Sequence, residues 1–126
     1  MQVDVWVYQT IDFRTMLSRC VYSGSPTFDA LRDDVAPKWL AGFERALPAD
    51  GFCAGALSVA DFMLVEALMH VRAILAAKAG VVDALAAYPR VSALVARFQA
   101  LPRIAAYLGT PGVQALGWNG AEALFS

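Results

Sequence analysis

The chain has 126 residues, of which 59 % are apolar and 17 % charged, with ten basic against eleven acidic side chains for a net charge of −1. That is too apolar for a disordered segment, large enough for one packed domain, and too evenly charged for a nucleic-acid surface or an acidic tail. A mean hydropathy of +0.52 raises the membrane question. A spanning helix needs about 20 mostly apolar residues, and the best stretch, Val59 to Ala77, carries Asp61, Glu66, His70 and Arg72.

The first predicted helix runs from about Val3 to Tyr22 and stops at the turn formers Ser23-Gly24-Ser25-Pro26. A second runs from about Thr27 to Leu47, with Pro37 kinking it or marking its true start. Pro48-Ala49-Asp50-Gly51 closes that segment. The third is the best defined. Ser58 is a good N-cap and Asp61 stands three residues on, the spacing of a capping box with Asp in place of the commoner Glu. Leu57 and Phe62 fit the hydrophobic staple. Apolar residues then continue almost all round the helix, which predicts a central, buried position. Gly80 supplies the stop.

Pro89 and Pro102 each open a further helix, since a proline in the first turn gives up an N–H that has no intrahelical partner there. Val91, Leu94, Val95 and Phe98 follow the first at helical spacing. Ile104, Tyr107 and Leu108 follow the second, and Gly109 ends it. The tail, about 110–126, is punctuated by glycine and carries Trp118, Leu124 and Phe125. No segment alternates at period two for long, so no sheet is expected. The fold class predicted is all-α, a bundle of five or six helices filling residues 1–126 as one domain.

The chemistry-bearing residues are few. Cys20 and Cys53 are too few for a disulfide scaffold and have no fixed cation nearby in sequence, so reduced, unreactive thiols are expected. With no secretory signal at the N-terminus, the expected location is the cytoplasm. His70 is the single histidine, and Glu66 four residues before it makes an ordinary helix-face pair. No ligand set for zinc, no nucleophile elbow and no phosphate loop is present. No metal, cofactor or nucleic acid is implied, and no catalytic residue is assigned.

Several segments resemble the all-helical C-terminal domain of the cytosolic glutathione S-transferases. Gly55-Ala56-Leu57-Ser58-Val59-Ala60-Asp61-Phe62 resembles the capping-box segment that opens the family's core helix. Ala87-Tyr88-Pro89-Arg90-Val91 resembles its aromatic-Pro turn, and Leu101-Pro102-Arg103-Ile104-Ala105-Ala106-Tyr107-Leu108 its closing helix. Phe43-Glu44-Arg45-Ala46-Leu47 and Phe52-Cys53-Ala54-Gly55 also fit, in the right order and at the right intervals. At the start, Val3-Asp4 and Asp12-Phe13-Arg14 resemble the tyrosine-type classes (alpha, mu, pi, sigma).

The resemblance implies a two-domain enzyme that conjugates glutathione, its co-substrate, to apolar electrophiles in detoxification, usually as a homodimer. This chain would be one wall of the apolar pocket. The thioredoxin-like domain that carries the catalytic hydroxyl and most glutathione contacts would be missing, so the chain alone is expected to be inactive. The resemblance carries substrate-facing roles to Tyr22, at the end of the first helix, and to Trp118 and Phe125 in the tail. Tyr8 stands where several tyrosine-type members place an Asp that reaches the partner subunit's glutathione. The nearest carboxylates here are Asp4 and Asp12. Ser58 and Asp61 carry the structural capping box. An alternative is a non-catalytic interaction module of the kind found in translation factors and synthetase complexes. Under either reading Trp6, Ile11 and the tail are expected to present apolar surface and to favour self-association.

Overall fold

The structure, a computed structural model, describes residues 2–111 and 123–124. Helix α1 spans Val3–Ser23. A short helix α2, Phe28–Ala30, passes through one π-helical turn, Leu31–Val35, into α3, Ala36–Ala46. Then come α4, Val59–Lys78, α5, Pro89–Gln99, and α6, Pro102–Leu108. Among the described residues there is no strand, only isolated bridges in the 52–56 turn. The all-α bundle expected from the sequence is the fold observed.

The central helix is α4. Its buried positions include Ala60, Asp61, Leu64, Val65, Leu68, Val71, Ile74 and Leu75, an arc too wide for a surface helix. Helix α1 packs along it more extensively than any other element. Its buried stripe is Trp6, Thr10, Phe13, Leu17, Cys20 and Val21, spaced at three and four residues. Trp6 is therefore core, a correction to its expected exposure. Its ring lies 6.1 Å from that of Phe43, and Phe13 meets Phe43 edge-on at 5.3 Å and Trp39 at 5.4 Å, so aromatic rings fill the α1–α3 seam. Ile11 is exposed, as expected.

The second predicted helix is divided. The Thr27 hydroxyl accepts the Ala30 N–H at 3.1 Å and starts α2. The π turn then widens the backbone just ahead of Pro37, which lacks an N–H, and Pro37 occupies the first turn of α3. The wide turn is how the chain passes the missing donor without a break.

At its far end α4 closes on Gly80, whose φ of 70° is the left-handed conformation that suits glycine, with the Ala79 and Val81 N–H groups both donating to Leu75 O at 3.1 Å. Helix α5 is finished from a distance. The Glu44 carboxylate, on α3, accepts the Arg90 N–H at 2.9 Å and the Val91 N–H at 3.0 Å. An anionic acceptor on orphan N–H groups at a helix N-terminus is favourable both as a hydrogen bond and against the dipole. Arg90 returns the contact by donating Nη1 to Leu47 O at 2.9 Å.

Candidate functional site

The sequence-predicted residues fall in three places. Tyr22 lies in the last turn of α1 and is 44 % exposed; Tyr8 lies on the same helix and is 70 % exposed. Fourteen residues of helix separate them, roughly 21 Å along the axis at 1.5 Å per residue. They therefore do not share one small-molecule site. Ser58 and Asp61 open α4. Trp118 and Phe125 lie outside the described residues.

The last turn of α1 is ordered by several acceptors in sequence. Arg19 O accepts the Ser23 hydroxyl at 2.6 Å. Cys20 O accepts the Gly24 N–H at 3.2 Å, and Gly24 has φ 72°, the left-handed helix stop. Val21 O accepts the Leu124 N–H at 2.7 Å. Ala123 packs against the core beside it. A phenol on this turn presents a flat apolar ring and a polar tip together. Next to it, Asp12, Thr15, Met16, Arg19, Ser25 and Pro26 line a hollow of about 340 Å³. A second concavity of about 390 Å³ lies between α1 and α3, walled by Gln9, Trp39, Gly42 and Phe43. Neither has Tyr8 or Tyr22 in its wall.

The start of α4 is a different kind of arrangement. Asp61 is fully buried. Its Oδ2 accepts the Ser58 N–H at 2.8 Å and, at 3.4 Å, the Ser58 hydroxyl. Its Oδ1 accepts the Cys53 N–H at 2.8 Å. The capping box is formed, and the carboxylate carries its short contacts. The extension to Cys53 was not visible in the sequence, because it depends on the 52–56 turn folding back. That turn is closed by Phe52 N–H to Gly55 O at 3.1 Å and Gly55 N–H to Phe52 O at 2.9 Å. Burial and the adjacent carboxylate both push the Cys53 thiol up, and burial does the same to Cys20. Neither sulfur is poised as a nucleophile. Phe62, the staple candidate, also has a partner on another helix. It stacks edge-on against Phe98 of α5 at 4.9 Å and 90°, and both Leu57 and Phe62 remain about half exposed.

Glu66 of α4 also has a partner on another helix. It forms an ion pair with Arg14 of α1, Nη2 to Oε1 at 3.5 Å. Desolvation, with Arg14 nearby as the lesser cause, pushes the His70 imidazole down to about 4. It is neutral at pH 7. Among the described residues no three His, Cys, Asp or Glu side chains cluster as a metal site. None of their helices is long and apolar enough to cross a membrane.

The family model described as glutathione S-transferase, C-terminal domain, matches residues 11–111. The chain belongs to that family. No curated protein matches it. The matched span runs from the middle of α1 to the end of α6 and includes Tyr22, the capping box and both Pro-led helices, while Tyr8 precedes it. Glu44 and Leu124 do their work through contacts with Arg90 and Val21, 46 and 103 positions away. Local sequence signals report neither.

Proposed function

We propose that this chain forms the apolar-substrate wall of a tyrosine-type glutathione transferase, an enzyme of detoxifying conjugation in the cytoplasm that works as a dimer. Family membership over residues 11–111 is the observation that carries the reading. Tyr22 supports it, as a half-exposed aromatic on a well-tied helix end. In this role its ring stacks on an aromatic electrophile and its hydroxyl meets the electrophile's polar end. Tyr8 lies too far along α1 to join it. Trp118 and Phe125 complete the wall from the tail.

The reaction needs a glutathione thiolate, made by a hydroxyl that lowers the thiol's pKa. We assign that hydroxyl to a thioredoxin-like domain of the whole enzyme, as the family resemblance implies. Two measurements test the division of labour. The chain alone, with glutathione and 1-chloro-2,4-dinitrobenzene, is expected to give the uncatalysed rate; a rate above background overturns the assignment of catalysis to another domain. Titrating the chain with the same electrophile is expected to shift the ring resonances of Tyr22 in an NMR spectrum. Saturable binding that leaves Tyr22 untouched defeats its role in the wall.

A second reading, a non-catalytic interaction module, draws on a different surface. Leu57, Val59 and Phe62 at the start of α4 are large apolar side chains left exposed. A protein partner that binds there, with no response of Tyr22 to electrophiles, favours it.

A further inference from the structure

The last turn of an α-helix leaves four carbonyls without intrahelical donors. Around the end of α1, two of these four, Cys20 O and Val21 O, and also Arg19 O just before them, have the following donors. The Ser23 hydroxyl reaches Arg19 O and the Gly24 N–H reaches Cys20 O, both local. The third, Val21 O, is met by the N–H of Leu124, from the other end of the chain, at 2.7 Å. It is shorter than the Gly24 contact at 3.2 Å, and the turn is tied to residues 123–124 in two further ways. Ala123 packs on the core, and the Leu124 Cδ1 covers Gly24, 3.5 Å from where a Cβ would sit. Tyr22 lies between the carbonyl that Leu124 holds and the glycine that Leu124 covers.

We infer that Leu124 is a positioning residue for Tyr22: its backbone N–H completes the final turn of α1 and so fixes where the phenol points. The donor matters more than the side chain, because Leu124 is half exposed while its N–H makes the short bond. The ligand half of this inference rests on the pocket-wall reading above; the structural half does not.

The test uses the full 126-residue chain and two substitutions. Leu124→Pro removes the N–H. Leu124→Ala keeps it and removes only the isobutyl group. With Leu124→Pro, exchange of the Gly24 amide is expected to quicken roughly fivefold, the factor that one net hydrogen bond supplies. The Tyr22 ring resonances are expected to move, while amides of α4 and α5 keep their protection. Leu124→Ala is expected to restore both to near the parent. A chain ended after residue 122 also lacks the donor and must reproduce the proline result, which covers the case of a proline variant that does not fold. Unchanged Gly24 exchange and Tyr22 signals in the proline variant and the shortened chain overturn the inference. So does an alanine variant that behaves like the proline one, since the side chain would then be responsible.

The affinity for 1-chloro-2,4-dinitrobenzene separates the two claims. If Tyr22 moves and affinity falls several-fold in Leu124→Pro and in Tyr22→Ala alike, both stand. If Tyr22 moves and affinity is the same in all variants, the positioning stands and the pocket-wall reading fails.

Discussion

The two long helices of this domain are finished by opposite means. The start of α4 is closed within nine residues of chain: Asp61 gathers the N–H groups of Cys53 and Ser58 on one buried carboxylate. The end of α1 is closed partly by its own Ser23 and Gly24 and partly by Leu124, 103 positions away. A helix end closed locally can form as soon as its own stretch of chain does. An end closed from afar is complete only when the whole domain is assembled. In this molecule the locally closed end carries the fold, and the remotely closed end carries Tyr22, the best candidate for contact with a small molecule.

The sharpest way to break the comparison is at Asp61. Asp61→Ala leaves two N–H groups without their acceptor in a buried site, at about 1–3 kcal/mol each. The expected loss is about 3 kcal/mol in urea unfolding, with the Tyr22 resonances unchanged. Equal midpoints for the variant and the parent would show that the capping box is not a stability element. Glu44→Ala comes next. It removes the long-range cap of α5, and a lost N-terminal cap is typically worth about 1 kcal/mol. Faster amide exchange confined to Arg90 and Val91 is the expected accompaniment, and a loss spread evenly over the domain would contradict a local role.

The effect that is smallest at neutral pH concerns the middle of α4, where no helix end is involved. His70 is held neutral in the folded chain, down to about 4, against a usual imidazole value near 6.5. Between these values the unfolded chain binds the proton and the folded chain does not. Stability must therefore fall as pH drops from about 6.5 towards 4, and rise with pH through the same window. His70→Gln is expected to flatten that part of the profile and to leave stability at pH 7.5 nearly unchanged. An identical slope in the variant between pH 6.5 and 4 would assign the dependence to other groups.

What the sequence made legible follows from the same division. Ser58 and Asp61, Gly80, Pro89 and Pro102 each act within a few residues of themselves, and the helices they bound appear where expected. The π turn before Pro37 is less legible, because a wide turn and a kink are equal answers to a missing N–H until packing chooses between them. Trp6 shows how an expectation drawn from a missing neighbour can mislead. A large apolar residue near the chain start was assigned to an uncovered surface, yet Trp6, Thr10, Phe13 and Leu17 form one helical stripe, and that stripe faces α3 and α4. Glu66 has a partner on another helix, Arg14 of α1, which spacing along α4 does not report. Of the candidate site, Tyr22 rests on the resemblance, whereas the Leu124 contact at its helix turn depends on tertiary structure alone.

The aromatic seam between α1 and α3 gives the protein a built-in optical reporter. Trp6 is fully enclosed, and its ring and that of Trp39 both lie against Phe43. An indole in so apolar a setting emits towards the blue, and rings held at fixed tilts give near-ultraviolet circular dichroism that vanishes when they are free to turn. Separation of α1 from α3 can thus be followed without a label, by light that the core itself absorbs and returns.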